Sequence, residues 1–148
     1  MLSGKTAFIT GSNRGIGQAI LKKFIDNGAN IICAVRKINP EFKEYIKINL
    51  KNLKNNVKIL EFDLSDESKM SEAIQSLYKD KITLDILVNN AGVAGGSILE
   101  MTSMKDLKKI FEINFFSQIR LTQLLLRLLK KSNKASIINM GSVSGING

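Results

Sequence analysis

A glycine-rich turn near the amino terminus has residue types and spacing suited to holding a phosphate group. Residues 10–17 read Thr-Gly-Ser-Asn-Arg-Gly-Ile-Gly, so the glycines follow a G-x3-G-x-G pattern rather than G-x-G-x-x-G. A strand-like segment precedes the turn and a helical pattern follows it, which directs the free N–H groups of the first helical turn toward an anion. We therefore expect a dinucleotide pyrophosphate to bind here, although a tight turn without a ligand would use the same glycines. The residues expected to contact it are Gly11, Ser12, Asn13, Arg14, Gly15, Ile16 and Gly17.

Two arginines favour a cofactor that carries an extra phosphate. The second strand-like segment ends in Ala-Val-Arg-Lys at residues 34–37, with no acidic residue. In dinucleotide-binding folds an acidic residue at this place accepts from the ribose 2′-hydroxyl, whereas an arginine accommodates a 2′-phosphate. Arg14 and Arg36 can each pair with a phosphate through the guanidinium fork. They predict NADP(H), unless Arg36 and Lys37 are only solvated loop charges.

Polar and small residues follow the third and fourth strand-like segments. Asp63-Leu64 comes after the third segment, where Asp63 could accept from the adenine amino group or serve as a local turn or cap residue. Asn-Asn-Ala-Gly follows the fourth segment at residues 89–92. The asparagines can brace neighbouring strands, and the small residues allow the backbone to approach a cofactor. The residues expected to line the cofactor site here are Asp63, Leu64, Asn90, Ala91 and Gly92.

Two further polar residues are candidates for the reaction itself. Ser142 lies in a small-residue loop after a buried strand-like segment, so it should face the same crevice. Asn114 stands between Ile113 and Phe115 in an apolar helical run, and a buried polar side chain there needs a partner. For both residues a role in core packing is the alternative.

The elements that must position these residues alternate between strands and helices. Apolar runs indicate strands and 3.6-residue periodicity indicates helices, which together predict a parallel sheet of βαβ units with helices on both faces. The fold class expected is therefore α/β, a Rossmann-type doubly wound parallel sheet that ends after its fifth strand, in a single domain spanning residues 1–148. Strands are predicted at 5–10, 30–35, 57–62, 84–88 and 135–140, and helices at 16–27, 41–53, 65–79 (capped by Ser65) and 103–131.

Composition excludes several kinds of chemistry. The 148 residues contain no histidine and one cysteine, so histidine-dependent catalysis, an internal disulfide and a cysteine metal site are excluded. The net charge is +9, but lysines are scattered through the sequence without a dense run or interleaved aromatics. We expect solvated surface lysines, no nucleic-acid partner, no membrane segment and a cytoplasmic location.

These motifs together resemble the short-chain dehydrogenase/reductase family, and within it the 3-oxoacyl-(acyl-carrier-protein) reductases of fatty acid biosynthesis. The resemblance spans the whole chain and rests on motifs that occur in the family's order. They are Thr10-Gly11-x3-Gly15-Ile16-Gly17, Asp63-Leu64, Asn89-Asn90-Ala91-Gly92, Asn114 and Gly141-Ser142-x-x-Gly145.

The resemblance implies an NADP(H)-dependent oxidoreductase that reduces a ketone, such as a 3-oxoacyl thioester, to a secondary alcohol. Ser142 would hydrogen-bond the substrate carbonyl oxygen, and Asn114 would order a water in a proton relay. The full-length form would be a homo-oligomer, a dimer or a tetramer. The substrate would be a small molecule or an acyl thioester.

The family's Tyr-x-x-x-Lys motif has no counterpart in these residues. It should follow Ser142, but the sequence given ends at Gly148. Tyr45 is followed four residues later by Asn49, and Tyr78 by Ile82, so neither tyrosine matches. We therefore expect a fragment that is inactive alone, whose fifth strand is an open edge and whose long helix exposes apolar surface. A non-catalytic NADP(H)-binding module is the alternative function.

Overall fold

A five-stranded parallel sheet forms the centre of the molecule. The computed structural model describes residues 1–51, 53–95 and 98–142. The strands lie in the order β3-β2-β1-β4-β5, and every pairing is parallel. Chain order reverses between β1 and β4, which makes the sheet doubly wound, as predicted. The strands are β1 (Thr6–Thr10), β2 (Asn30–Val35), β3 (Val57–Glu61), β4 (Ile86–Asn89) and β5 (Ser136–Asn139).

Helices connect successive strands and cover both faces of the sheet. The helices are α1 (Gly15–Asp26), α2 (Pro40–Leu50), α3 (Glu67–Lys79), α4 (Met104–Phe111) and α5 (Ser117–Leu129), with a short 3-10 helix at Leu99–Met101. One buried cluster joins Phe8 and Leu87 to α3 and α5, and the other joins Ile9 and Val88 to α1 and α2. Successive residues of β1 and β4 thus enter opposite cores, which explains why these strands are apolar on both faces.

The prediction of one uninterrupted helix over residues 103–131 is wrong in detail. A π-helical turn, Glu112–Phe116, joins α4 to α5 and contains Asn114. Such turns are rare and often occur at functional sites. Ser103 caps this helical stretch, since its hydroxyl accepts from the N–H of Asp106 at 3.1 Å.

The predicted cap of α3 is also wrong by one residue. Asp66, not Ser65, is the N-cap, and its carboxylate accepts from the N–H of Lys69 at 3.0 Å. Ser65 donates instead to Asp63. The second helix ends at Leu50 rather than residue 53, and the fourth strand spans Ile86–Asn89 rather than residues 84–88. The bounds of β2 are as predicted, α3 begins at Glu67 rather than residue 65, and α5 ends at Leu129 rather than residue 131. The remaining boundaries differ from the predictions by at most one residue.

One edge of the sheet and one helical face leave apolar side chains exposed. All four residues of β5 are exposed, and β5 pairs only with β4 in the described part of the sheet. Phe111, Phe115 and Phe116 are each more than half exposed along α4 and the π-helical turn. The open edge and the exposed helix are therefore present as predicted. None of the described helices is long and apolar enough to cross a membrane.

A buried carboxylate joins three segments at the amino ends of β1 and β4. Asp85 is 6% exposed and accepts from the Ser132 hydroxyl at 2.6 Å, the Lys5 ammonium at 2.9 Å and the Thr6 N–H at 2.9 Å. Burial alone raises the pKa of Asp85. The hydrogen bonds from Ser132, Thr6 and Lys5 outweigh burial and hold the pKa of this carboxyl below its usual value.

We predict that Asp85→Asn lowers the free energy of unfolding by about 1–3 kcal/mol at pH 7, since three donors lose a charged acceptor. Because the folded-state pKa is depressed, the stabilisation is complete above the unfolded pKa of about 3.9 and is lost as pH falls through the folded value. Thermal unfolding of the wild type and of Asp85→Asn at pH 7 and at pH 3 measures the difference in stability and its loss at low pH. Glu72→Gln, an exposed carboxylate, is the control. Equal melting temperatures for Asp85→Asn and wild type at pH 7 would refute the prediction.

Candidate functional site

The predicted cofactor residues follow strands that end along the same edge of the sheet. Thr10 pairs with Ala34, Val35 pairs with Glu61, and Asn89 pairs with Asn139. The residues that follow these positions therefore emerge side by side at the carboxyl edge. In an open α/β sheet, ligands bind in the crevice at this edge, at the point where chain order reverses. The candidates that emerge here are Gly11, Arg36, Asp63, Asn90 and Ser142.

The glycine-rich turn has a conformation that requires glycine at three positions. Gly11 and Gly15 have φ values of +64° and +53°, which side chains rarely adopt. Gly17 is needed for close approach, because a Cβ there would lie 2.2 Å from the Gly11 carbonyl oxygen. Nothing lies within 4 Å of a Cβ placed on Gly15, so the space beside this residue is open and its positive φ alone favours glycine.

The amino terminus of α1 is left available for an anion. The residue before the helix, Arg14, makes no side-chain capping bond, and the first turn contains no acidic residue. Its N–H groups therefore fit a pyrophosphate held by backbone donors. Asn13 and Ile16 flank this terminus: the Asn13 carbonyl accepts from Gln18 at 3.5 Å, and Ile16 is 65% exposed.

Asn90 and Thr10 fasten the end of β4 to the turn. The Asn90 amide nitrogen donates to the carbonyls of Thr10 and Gly11 at 3.0 and 3.3 Å. The Thr10 hydroxyl accepts from the N–H groups of Asn90 and Ala91, both at 2.9 Å. Thr10 is fully buried, so both N–H groups depend on this oxygen. The bracing role expected of an asparagine here is confirmed for Asn90.

Ser12 differs from the other residues of the turn, because its side chain is fully buried. It lies beside Cys33 of β2 on the core side of the turn. Burial raises the pKa of the Cys33 thiol to about 11, and the Ser12 hydroxyl opposes only part of that rise. Any contact from Ser12 to a ligand would therefore have to come from its backbone.

Three exposed cations stand near the crevice. Arg14, Arg36 and Lys37 make no side-chain hydrogen bond or ion pair within the described part of the chain. Cations without partners are free to bind an incoming phosphate. Elsewhere lysines do pair, as Lys58 does with Asp80 at 2.6 Å.

Asp63 plays the local role that the sequence left open. One carboxylate oxygen accepts from the Ser65 hydroxyl at 2.6 Å and from the Ser65 N–H at 2.9 Å. These bonds lower the pKa of Asp63, and the charges of Arg36 and Lys109 lower it further. Its neighbour Leu64 packs against the core formed with α3 and α5. Lys109 was not predicted, since only the fold brings α4 toward this carboxylate.

Asn114 and Gln118 hold the segment that follows β4. The Asn114 side chain accepts from the Val93 N–H and donates to the Val93 carbonyl, both at 2.8 Å. Gln118 donates to the Ala91 carbonyl at 2.6 Å. Gly92 lies against Asn114, since a Cβ placed on Gly92 would be 3.3 Å from the Oδ1 atom of Asn114. The Asn114 amide therefore positions residues 91–93, and a carboxamide has a second lone pair and a second N–H that can bind a water while Val93 stays held.

The sequence interpretation missed Gln118 and, although it placed Thr10 in the glycine-rich motif, gave that residue no role. Gln118 follows Asn114 by four residues, a spacing that places both on one helix face and could have identified it. Asn89 was noticed but not assigned; its side chain donates to Thr122 at 3.2 Å and to Asn139 of β5 at 2.8 Å.

Ser142 is exposed and lies three residues beyond the end of β5. Gly145 of the predicted loop lies outside the described residues. The described residues contain no group of three or more possible metal ligands.

This geometry agrees with comparisons to known proteins. The sequence profile of the short chain dehydrogenase family matches residues 5–148, so the chain belongs to this family of oxidoreductases, which bind nicotinamide cofactors. It is similar to the rhamnolipid-biosynthesis 3-oxoacyl-[acyl-carrier-protein] reductase of Pseudomonas aeruginosa, with 34% identity over 98% of this chain and 57% of that protein. It is also 34% identical to the NADPH-dependent 3-dehydrocapnine reductase of Ornithobacterium rhinotracheale, over 95% of this chain and 50% of that protein.

Among solved structures, the fold is similar to that of carveol dehydrogenase from Mycobacterium avium in complex with NAD. The TM-score is 0.86 at 24% identity, over 99% of this chain and 57% of that one. The chain thus spans about half the length of the relatives it matches.

We predict that Gly17→Ala abolishes nucleotide binding and destabilises the fold by about 1–3 kcal/mol, since the new methyl group overlaps backbone. The affected atoms are the Gly11 carbonyl oxygen and the Asn90 amide nitrogen, at 2.2 and 2.5 Å. Calorimetric titration with NADPH and thermal unfolding measure both effects. Ala19→Ser adds one atom to the exposed side of the same helix and should change neither. Wild-type affinity in Gly17→Ala would contradict this account of the turn.

Proposed function

We propose that this chain forms the NADP(H)-binding part of a ketone reductase. The observation that carries the proposal is the set of cations without partners, Arg14 and Arg36 with Lys37, at the edge where the glycine-rich turn opens. A 2′-phosphate would supply the missing counter-charge, because guanidinium groups pair bidentately with phosphate oxygens. The similarity to an NADPH-dependent reductase supports this choice, whereas the similarly folded carveol dehydrogenase is in complex with NAD.

In this proposal the glycine-rich turn and residues 90–92 hold the cofactor, with Asp63 and Leu64 near the adenine. The cofactor, when bound, supplies a hydride to the substrate carbonyl carbon. Ser142 donates a hydrogen bond to the carbonyl oxygen as negative charge develops there. Asn114 positions residues 91–93 through Val93 and so sets the depth of the crevice.

The substrate class we propose is a ketone, with 3-oxoacyl thioesters as the leading candidates, because the similar protein from Pseudomonas aeruginosa is a 3-oxoacyl-[acyl-carrier-protein] reductase. The alcohol product requires one proton in addition to the hydride. We further propose a homo-oligomer for the full-length form, acting in the cytoplasm without nucleic-acid or membrane partners.

A second candidate is a non-catalytic NADP(H)-binding module. It needs only the cofactor site, and neither tyrosine of residues 1–148 lies at the crevice as a proton donor. Tyr78 donates to the Leu124 carbonyl on the α3–α5 side, and Tyr45 lies in α2 against the other core. Both candidates use the same cofactor site and differ only in turnover.

For the cofactor, we predict that Arg36→Ala weakens NADPH binding about tenfold or more, since a charge-assisted hydrogen bond contributes about 1.5–3 kcal/mol. Binding of NADH, which lacks the 2′-phosphate, should change by less than twofold. Calorimetric titration of both nucleotides tests this. Lys23→Ala removes an exposed charge from α1 and serves as the matched control. Equal losses for NADPH and NADH would exclude a 2′-phosphate contact at Arg36.

For turnover, we predict that the 148-residue chain binds NADPH but does not oxidise it when a 3-oxoacyl thioester is added. Loss of a general acid lowers rates by about a hundred- to ten-thousand-fold. Absorbance at the NADPH band, followed with and without the thioester, measures the rate. Substrate-dependent oxidation by the purified chain would show that another group supplies the proton.

A further inference from the structure

Glu61 makes an unexpected contact beside the cations of the crevice. It is the last residue of β3 and lies opposite Val35, the last residue of β2. Its carboxylate Oε2 accepts from the backbone N–H of Ile38 at 2.6 Å. Ile38 lies in the loop that joins β2 to α2 and that carries Arg36 and Lys37.

An exposed carboxylate bound to a loop that carries two cations has both of them as possible ion-pair partners. Within the described residues, however, Glu61 forms no ion pair with Arg36 or Lys37. Its oxygen is directed to a backbone donor, so both cations remain available to an incoming anion. The contact directs Glu61 to the loop backbone, while the other acidic side chain near Arg36, Asp63, accepts from Ser65 and makes no ion pair with Arg36 among the described residues.

The bond also fixes the loop at its centre. On one side, the Val35 carbonyl accepts from the Phe62 N–H at 3.0 Å, which continues the strand pairing. On the other side, Asn39 caps α2 by accepting from the Phe42 N–H at 2.9 Å. Glu61 holds Ile38 between these two points, so residues 36 and 37 are held on both sides. Side chains on a loop with a fixed backbone lose less conformational entropy when they bind a ligand.

We propose that Glu61 is a positioning residue that sets the preference of this crevice for a ribose 2′-phosphate. It acts through the loop backbone, by presenting Arg36 and Lys37 without partners toward the phosphate. The inference rests on the proposed NADP(H) function and adds a specificity determinant that lies on a different strand from the cations. The reach of the carboxylate, rather than its charge, is the property that matters, since a negative charge by itself repels phosphate.

Two substitutions separate reach from charge. Glu61→Asp keeps the charge but withdraws the oxygen from Ile38 by one methylene group. Glu61→Gln removes the charge and keeps an oxygen acceptor at the same reach. We expect Glu61→Asp and Glu61→Ala to weaken NADPH binding at least fivefold, and Glu61→Gln to bind NADPH at least as tightly as wild type. NADH binding should stay within twofold in all three.

The measurement is calorimetric titration of the full chain with NADPH and NADH, repeated with adenosine 2′,5′-bisphosphate and 5′-AMP to isolate the 2′-phosphate. Thermal unfolding verifies that each variant is folded. Glu72→Ala removes an exposed carboxylate of α3, controls for loss of negative charge and should match wild type.

The outcomes distinguish this inference from the function on which it rests. If Arg36→Ala loses the preference for NADPH but Glu61→Asp and Glu61→Ala keep it, the proposed function stands and the inference about Glu61 is overturned. The reverse order, with Glu61→Gln impaired and Glu61→Asp unaffected, also overturns it, since charge would then be decisive. If Glu61→Ala weakens the binding of NADPH and of NADH equally, Glu61 does not determine cofactor specificity and the inference is overturned. A wild-type protein without preference for NADPH overturns the proposed cofactor and this inference together.

Discussion

The whole crevice depends on how closely two backbone segments approach at the carboxyl ends of β1 and β4. Gly17 allows α1 to lie directly against the Gly11 carbonyl, and the Asn90 amide fills the remaining space while donating to that carbonyl. Thr10 completes the contact by accepting two N–H groups from the β4 side. The turn, the start of α1 and the end of β4 therefore form one unit, and a change in any of them moves the N–H groups that would face an anion.

The architecture could be predicted from the sequence because its signals are local and repeated. Apolar runs such as residues 30–35 are long enough for a strand and too short for a helix, and the structure places a strand there with the same bounds. The helix ends were harder to predict. Ser65 and Asp66 are both good caps, and only the bond from Lys69 to Asp66 distinguishes them. The π-helical turn left no signal in the spacing of apolar residues, because Phe111, Phe115 and Phe116 are exposed rather than buried.

The site could be predicted only where a residue acts close to its place in the sequence. The glycines act within their own turn, so their spacing identified them, and Asn90 acts next to its strand end. Contacts between distant residues required the fold. Glu61 reaches Ile38 across 23 positions, and Gln118 reaches Ala91 across 27. Ser12 illustrates another limit: its spacing placed it in the glycine-rich turn, but spacing alone could not show that its side chain is buried beside Cys33.

The distribution of charge explains why a net charge of +9 does not require a polyanion as partner. Several cations far from the crevice already have acidic partners, as Lys5 does with Asp85 and Arg120 with Glu67. Beside the glycine-rich turn the arrangement is different, because Glu61 is bound to a backbone N–H and Asp63 to Ser65, and neither forms an ion pair with Arg36 among the described residues. The local excess of positive charge is therefore built by a hydrogen bond, not by composition. In the proposed function, a small, doubly charged group at the end of β2 would meet that excess, since guanidinium groups pair with phosphate oxygens.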